Sequence, residues 1–282
     1  MLSRLIGAAL FAALSCCARP QPSNDTVFVS NEAGYVTLVD GATGRIEGQL
    51  ATGARPRGMA FSPDGRTFYV AASDAGRIEA WDVGSRKRVA LINSGSDPER
   101  FAVSPDGKLV VATSEVANLA HFIDAATGKL LDSVPVGTRP RFVLFLNGGK
   151  TVWVSSEQRG TISIFDAATH RIVRTIDLNK SFDIPEPVQA VEMRATKDES
   201  RVFVAMGRSN RVAEIDPATD TVVRSFPTGE RTWGIGLSPD ESRLYAASGL
   251  SGTLTIIDLR ANEVLKTVTL GGRPWGALAA RK

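Results

Sequence analysis

The stretch that decides the fold is RPRFVLFLNGGKTVWVSSEQRGTISIFDAATHRIVRTI, residues 139–176. It holds four short apolar runs, and turn residues such as Asn147-Gly148-Gly149 separate them. Within the runs, apolar residues recur at the period of two that a β-strand requires, and not at helical spacing. The stretch therefore predicts four short strands joined by turns, without a helix.

The same pattern recurs along the chain. Each first strand follows an Arg-Pro corner or a variant of it, as at Arg55-Pro56, Asp97-Pro98 and Arg231-Thr232. The aspartate that ends each third strand recurs at steps of 42, 42, 42, 50 and 42 residues, at Asp40, Asp82, Asp124, Asp166, Asp216 and Asp258. Four strands in a period of about 40–45 residues indicate a β-propeller. We predict an all-β, six-bladed propeller, with a seven-bladed ring as the alternative.

The two ends of the chain predict ring closure. Residues 26–50 hold only the last three strands of a repeat, and residues 273–278 supply only a first strand. Together they complete one blade and remove a free sheet edge. Strands that are apolar on both sides, such as Phe68-Tyr69-Val70-Ala71, predict that each blade packs between two neighbouring blades.

The first residues have a different composition. Arg4 precedes the apolar run Leu5–Leu14, which is too short to span a bilayer and is typical of a secretory signal peptide. Cys16 or Cys17 would carry a lipid; simple cleavage just past the pair is the alternative. We predict a signal and lipobox region at 1–17, a tether at 18–25 and one propeller domain at 26–282. The protein would be a monomeric periplasmic lipoprotein that meets the membrane only through its anchor.

Blade topology predicts where a site would lie. In an up-and-down blade, the loop before the innermost first strand and the loop between the second and third strands share one face of the disc. The predicted binding residues at this mouth of the central channel are Arg55, Arg57, Glu99, Arg100, Glu115, Arg139, Arg141, Glu157, Arg231, Trp233, Arg273 and Trp275. They could pair with each other between blades. Alternatively, arginine forks could bind an anion, with the tryptophans as stacking faces.

Other chemistry has little support in the sequence. The chain has no Gly-x-Ser-x-Gly or His-Glu-x-x-His motif, and its two histidines, His121 and His170, lie far apart. We therefore assign no catalytic residue and no metal ligand. The net charge of +3 is mild, so no nucleic-acid partner is predicted. An eight-residue insertion at 179–186 should reach the same face, either as padding or as a partner-binding loop.

The repeated sequence motifs Ser62-Pro63-Asp64-Gly65 and Asp124–Gly128 resemble YVTN-type β-propeller repeats. Over nearly the whole chain after the signal, it is similar to propeller proteins associated with PQQ-dependent alcohol catabolism. The words that carry this resemblance include Asp97–Phe101, Thr113–Glu115, Ala120–Asp124, Trp153–Glu157 and Arg231–Gly234. The resemblance implies a seven-bladed ring, although one repeat near the third blade is missing here.

The resemblance also implies a functional setting. It suggests an exported binding or scaffold module beside a periplasmic PQQ-dependent dehydrogenase or its redox carrier. It does not imply that the propeller binds the quinone, so no cofactor is assigned. The alternative is a metal-dependent, lactonase-like hydrolase, in which Glu32, Glu115, Glu157 and Asn118 would hold Ca²⁺.

Overall fold

The repeat forms a four-stranded antiparallel sheet six times over, in a computed structural model that describes residues 24–93, 101–182 and 188–282. The first three strands are β1 (Asp25–Asn31), β2 (Tyr35–Asp40) and β3 (Ile46–Ala51). Blade 2 follows with β4 (Pro56–Phe61), β5 (Thr67–Ala72), β6 (Arg77–Asp82) and β7 (Arg88–Asn93). Blade 3 consists of β8 (Phe101–Val103), β9 (Leu109–Ser114), β10 (Leu119–Asp124) and β11 (Leu130–Pro135).

The second half of the chain continues the ring. Blade 4 consists of β12 (Pro140–Leu146), β13 (Thr151–Ser156), β14 (Thr161–Asp166) and β15 (Arg171–Asp177). Blade 5 consists of β16 (Met193–Ala195), β17 (Val202–Ala205), β18 (Arg211–Asp216) and β19 (Thr221–Pro227). Blade 6 consists of β20 (Thr232–Leu237), β21 (Arg243–Ser248), β22 (Thr253–Asp258) and β23 (Glu263–Thr269), and β24 (Pro274–Arg281) ends the chain. Two short 3-10 helices cover Ser73–Ala75 and Leu178–Lys180.

The last strand closes the ring on the first. β24 pairs with β1 from Asp25 opposite Arg281 to Asn31 opposite Pro274, which gives blade 1 the order β24-β1-β2-β3. Beyond the strands, the backbone N–H of Lys282 donates to the carbonyl of Asn24 at 3.1 Å. The predicted closure and the six-bladed ring are confirmed, and the seven-bladed alternative is wrong. Asp25, which we placed in the tether, belongs to β1 and is buried.

Aspartates fix the turns at the face opposite the predicted site. Asp198 accepts from the Thr196 hydroxyl at 2.6 Å and from the backbone N–H of Ser200 at 3.0 Å. Asp124 accepts from the backbone N–H and hydroxyl of Thr127 at 2.8 and 2.6 Å. These bonds hold each hairpin in one register and position its flanking strands.

These turns should make stability sensitive to acid. The Thr196 hydroxyl, followed by the backbone N–H of Ser200, lowers the pKa of Asp198 from 3.8 to about 2. A pKa lowered by folding means that the stabilisation is complete above the unfolded value and is lost as pH falls through the folded value. We expect the Tm to fall between about pH 4 and pH 2. Thermal unfolding followed by circular dichroism checks this, and a Tm that stays constant down to pH 2 would contradict it.

Apolar clusters join neighbouring blades. One cluster between blades 4 and 5 packs Trp153 and Ile164 against Val202 and Val204. Equivalent clusters join blade 5 to 6, 6 to 1, 1 to 2 and 3 to 4. Within the described ranges 24–93 and 101–182, no such cluster joins blade 2 to blade 3. Among the described residues, the ring therefore has five packed junctions and one, between blades 2 and 3, whose facing side chains are open to solvent.

The open junction corrects one expectation. We predicted that both sides of Phe68-Tyr69-Val70-Ala71 pack against neighbouring blades. Phe68 and Val70 are fully buried against blade 1, but Tyr69 and Ala71 face blade 3 and are only half-buried. The repeat encodes an apolar row on each side of a strand, but it does not fix the distance between two blades. Among the described residues, no helix is long and apolar enough to cross a membrane.

Candidate functional site

The loops before the inner strands and the loops between the second and third strands meet on one face, as blade topology predicts. The backbone N–H of Glu157 donates to the carbonyl of Arg139 at 2.8 Å, and Gly249 and Glu32 make the same bond to Arg231 and Arg273. We call this face the arginine rim; its charged members are Glu32, Arg55, Arg57, Asp74, Glu115, Arg139, Arg141, Glu157, Arg208, Arg231 and Arg273. The shared bonds bring one residue type to one position in successive blades.

Asparagines hold these arginines in place, two from the preceding blade and one, Asn31, from the same blade. The side-chain oxygen of Asn118 accepts from the backbone N–H of Arg139 at 2.8 Å. Asn210 and Asn31 accept in the same way from Arg231 and Arg273, at 2.9 and 2.8 Å. Arg139 and Arg231 have φ angles of 60° and 58°, in the left-handed region that non-glycine residues rarely occupy. Such backbone strain persists only where neighbouring bonds enforce it.

Five side chains form the densest charged group, which we call the Glu157 cluster: Glu115, Arg139, Arg141, Glu157 and Arg231. The Nε atoms of Arg139 and Arg141 each lie 3.3 Å from Glu157 Oε2, and Arg231 Nη2 lies 3.7 Å from Glu157 Oε1. Arg139 Nε also lies 3.2 Å from Glu115 Oε2, and Arg141 contacts Glu115. The side chains of Glu157 and Arg141 are only 1% and 8% exposed.

Positive charge exceeds negative charge in this cluster, because three arginines share two glutamates. Burial lowers the pKa of Arg231, and the positive charges of Arg208, Arg139 and Arg141 lower it further against the attraction of Glu157. Glu157 Oε2 and Arg231 Nε are buried without a hydrogen-bond partner among the residues that the structure describes. Glu157 is thus held by charge at distances of 3.3–3.7 Å with poor hydrogen-bond geometry, whereas Glu115 accepts a hydrogen bond from Arg139 Nε at 3.2 Å.

A second group lies on blades 1 and 2. Glu32 Oε1 lies 3.0 Å from Arg57 Nη2, and Glu32 Oε2 lies 3.6 Å from Arg273 Nε. Arg55 is paired separately with Asp74 at 3.1 Å. The interblade ion pairs expected as one of the two interpretations are therefore present across the described part of the rim.

The tryptophans support arginines and are not open stacking faces. Trp233 and Trp275 are each only 6% exposed. The guanidinium carbons of Arg231 and Arg273 lie 5.1 and 5.7 Å from the Trp233 ring centre, and that of Arg57 lies 5.7 Å from Trp275. A Cβ at Gly249 would collide with the Trp233 ring, so only glycine fits there. The buried rings thus fix the direction of the arginines above them.

Sequence comparison identifies the family. A sequence model of the YNCE-like beta-propeller family matches residues 22–195 and 185–275. The chain belongs to the YNCE-like beta-propeller family. No curated protein matches the sequence. The YVTN-type label and the association with PQQ-dependent catabolism stay predictions for this YNCE-like propeller.

Solved structures share the fold at low sequence identity. Pseudomonas aeruginosa periplasmic gluconolactonase PpgL has a TM-score of 0.76 at 18% identity, over 92% of this chain and 99% of that one. The dihydro-heme d1 dehydrogenase NirN has a TM-score of 0.60 at 16% identity, over 92% of this chain and 75% of that one. Kuenenia stuttgartiensis hydrazine synthase has a TM-score of 0.55 at 19% identity, over 95% and 92% of the chains. These similarities concern the fold.

The YNCE-like propeller gathers some predicted site residues and separates others. Arg139, Arg141, Arg231, Glu115 and Glu157 form one cluster, whereas Arg57, Arg273 and Trp275 belong to the group around Glu32 and Arg55 stands apart. Glu99, Arg100, Cys16 and Cys17 lie outside the described residues. Of the insertion, residues 183–186 also lie outside the described residues. Asn179 donates to the carbonyl of Arg159 in the rim loop of blade 4 at 3.0 Å.

Sequence reasoning missed the buried carboxylate of Glu192, which lies in the loop before the inner strand of blade 5. Glu192 accepts from the backbone N–H of Ile235 at 3.2 Å and contacts Arg194, whose guanidinium lies 5.2 Å from the Phe142 ring centre. No Arg-Pro corner marks this loop, so the repeat gave no signal for it. Across the described ranges, no group of three or more His, Cys, Asp or Glu side chains is placed to hold a metal ion.

Proposed function

We propose that this propeller is a binding module that engages an anionic ligand at the arginine rim. The observation that supports this most is the Glu157 cluster, in which three arginines converge on two carboxylates. A ligand carboxylate would balance the excess charge and supply the acceptor that the buried Arg231 Nε lacks. Arg139 is the half-exposed member of the cluster through which a ligand would be reached.

The ligand would be a polycarboxylate or an acidic surface of a partner protein. Arginine forks recognise carboxylates in a bidentate manner, and the asparagine bonds and the buried tryptophans pre-orient the arginines. We also propose that residues 1–17 direct export of the protein and that a lipid on Cys16 or Cys17 anchors it. The proposal also extends to a periplasmic PQQ-dependent dehydrogenase or its redox carrier as the partner. The signal-like N-terminus and the resemblance of the sequence support these parts.

Citrate titrations with matched arginine variants test the rim. Arg139→Gln should weaken citrate binding about tenfold, the effect of losing one charge-assisted contact. Arg260→Ala removes an arginine that is also paired to an aspartate, at 3.7 Å, but lies in the β22–β23 turn at the opposite face; it should bind citrate as the wild type does. Isothermal titration calorimetry at low and high salt measures both. Equal losses in the two variants, or no citrate binding by the wild type, would contradict the site.

The triple substitution of Arg139, Arg141 and Arg273 is a poor test of the same idea. If all three arginines were exposed ligand contacts, as the sequence suggests, replacing them by alanine would abolish binding and leave thermal unfolding nearly unchanged. Arg141 is buried against the buried Glu157, so removing it together with Arg139 would leave Glu157 with only Arg231, at 3.7 Å, and destabilise the fold. The single Arg139 variant separates binding from stability.

A lactonase-like hydrolase is the second candidate, and the similarity to a gluconolactonase is the observation that favours it. Against it, Glu32, Glu115 and Glu157 each lie against arginines, and a metal would have to displace these. A pH-stat assay with glucono-δ-lactone, with and without added Ca²⁺, distinguishes the hydrolase from the binding module. Metal-dependent hydrolysis that Glu157→Gln abolishes would favour the enzyme.

A further inference from the structure

The open junction between blades 2 and 3 is a slot with two apolar walls. The register of blade 2 places Tyr69 opposite Ala80, and Ile78 opposite Ala71 and Ile92, on the side that faces blade 3. The register of blade 3 places Val110 opposite both Val103 and Ile123, on the side that faces blade 2. We call this space the 2/3 slot, and its walls are formed by Tyr69, Ile78, Ile92, Phe101, Val110 and Ile123.

The inner strand shows how open the slot is. Phe101 in β8 is 65% exposed. The residues at the same register position in blades 4, 5 and 6 are Val143, Met193 and Ile235, and their exposures are 4%, 0% and 0%. An inner-strand position that is core in three other blades is therefore in contact with water here.

The outer strand shows the same contrast. Ile92 in β7 is 45% exposed, whereas its counterparts in blades 4, 5 and 6 are only 3–8% exposed. The counterparts are Ile176, Phe226 and Val268. Between these ends, Tyr69, Val110 and Ile123 are half-buried, although the aromatic residues equivalent to Tyr69, Trp153 and Phe203, are fully buried. The slot is thus open from the inner to the outer strand.

Such a surface is unusual on a monomer. Soluble monomers rarely expose continuous apolar patches larger than a few hundred Å², and larger patches mark interaction sites. Several large apolar side chains line the slot on two facing walls, and His121 is polar but already bonded, with its Nδ1 2.8 Å from Ser133 Oγ. The slot therefore has the character of an interface whose second component is missing.

The packing at the other junctions indicates which secondary structure would fit in the slot. At the five packed junctions, the equivalent face of every blade packs against a pleated β-sheet. Side-chain rows on a pleated sheet interdigitate with those of another sheet at about 10 Å. An insert with an apolar row on each side, as in a β-hairpin, would cover both walls at once.

The charge at one end of the slot indicates which side chains an inserted segment should carry there. The turns that flank the slot on the face opposite the arginine rim carry four exposed basic side chains, Arg66, Lys87, Lys108 and Lys129. The same turns also carry Arg86 and the charged aspartates Asp64, Asp82, Asp106 and Asp124, so five basic side chains against four acidic ones leave a net charge of +1. An insert leaving the slot at this end would meet positive charge, so acidic residues there are favoured.

We propose that the 2/3 slot is the docking site for a β-hairpin of a partner protein, apolar on both sides and acidic where it leaves the slot. Insertion would bury Phe101 and Ile92 as their counterparts are buried in the other blades. The slot lies between two blade faces and not on the arginine rim, so this proposal stands independently of anion binding.

The chain itself supplies a suitable probe. A synthetic peptide of residues 151–166 carries both kinds of apolar face, and Thr151 and Asp166 are paired, so a disulfide between added terminal cysteines would close the hairpin. Three glutamates added beyond each cysteine provide the acidic ends. Binding of the labelled peptide to the full chain, followed by fluorescence anisotropy, should be saturable. Hydrogen exchange should show new protection in β5, β6, β9 and β10.

Two variants with similar exposure make the test specific. Ile92→Asp places a charge in the slot and should weaken peptide binding about tenfold or more. Val223→Asp alters a side chain of similar exposure, 49%, on the outer strand of blade 5, and should leave binding unchanged. Since both positions are exposed, both variants should fold, which thermal unfolding verifies. Lys87→Glu combined with Lys129→Glu should also weaken binding, and this loss should disappear at high salt.

Other results would overturn the proposal. If the wild type does not bind the peptide, or if Ile92→Asp and Val223→Asp bind it equally, the slot is not a hairpin site. If sedimentation shows a dimer that only Ile92→Asp dissociates, a second copy of the chain occupies the slot. If phosphatidylglycerol vesicles bind the wild type but not Ile92→Asp, the slot takes lipid.

Discussion

Truncation of the chain after Gly272 is expected to abolish cooperative folding. The truncation removes β24, the inner strand of blade 1, and leaves the paired edge of β1 open. It also uncovers the core around Val27 and Val29 and removes Trp275 from the junction of blades 5 and 6. At about 1.5–3 kcal/mol per large buried side chain, this loss is comparable to the roughly 5–15 kcal/mol by which a domain is stable. Circular dichroism and size-exclusion chromatography should show no thermal transition and an aggregated chain.

A point variant at the same end is the matched control. Lys282→Ala removes the ion pairs to Asp40 and Glu47, the latter at 2.8 Å, but leaves β24 intact. Exposed pairs contribute up to about 1 kcal/mol, so this variant should unfold cooperatively with a slightly lower Tm. A truncated chain that melts like Lys282→Ala would show that ring closure does not depend on β24.

Substitution of Glu157 by alanine should have the second largest effect. The Glu157 carboxylate is buried between Arg139, Arg141 and Arg231. Its removal leaves Arg231 without a counter-charge and leaves Arg139 and Arg141 to share Glu115, which costs about 3–5 kcal/mol. For a chain of this size, that loss corresponds to a Tm lower by about 10 °C. Differential scanning calorimetry measures it.

Glu115 provides the comparison for this variant. It shares Arg139 and Arg141 with Glu157 but is more exposed, so Glu115→Ala should lower the Tm much less. Both variants raise the net positive charge of the rim, and both should bind citrate more tightly at low salt if the cluster is an anion site. A Glu157→Ala protein with the wild-type Tm would show that the cluster does not stabilise the fold.

Most of the fold could be predicted from the sequence because strand pairing within a blade is local. The aspartate that ends each third strand and the Arg-Pro corner give the repeat and the blade count directly. The incomplete repeat at each end gives the closure of β24 on β1. The spacing between blades cannot be predicted from a local stretch of sequence, because it depends on how all the blades fit into the ring. The sequence of Phe68–Ala71 therefore could not show that Tyr69 faces an open slot.

The site was only partly predictable for a related reason. Blade topology places the loops before the inner strands and the loops between the second and third strands on one face. The set of rim residues could therefore be predicted from strand order. Which arginine lies against which glutamate depends on contacts between blades that are distant in sequence. Arg231 reaches Glu157 across blade 5, and Trp233 lies beneath Arg231 and Arg273. No spacing in the sequence signals either contact.

The position of β24 has a consequence for synthesis. A ribosome produces the strands in order, so the innermost strand of the first blade is the last to emerge. Until residues 274–281 leave the exit tunnel, β1 has no inner neighbour, and nascent chains on the same messenger could pair with it. The yield of this protein in a cell is therefore governed by how well that interval is protected, and not only by the stability of the finished ring.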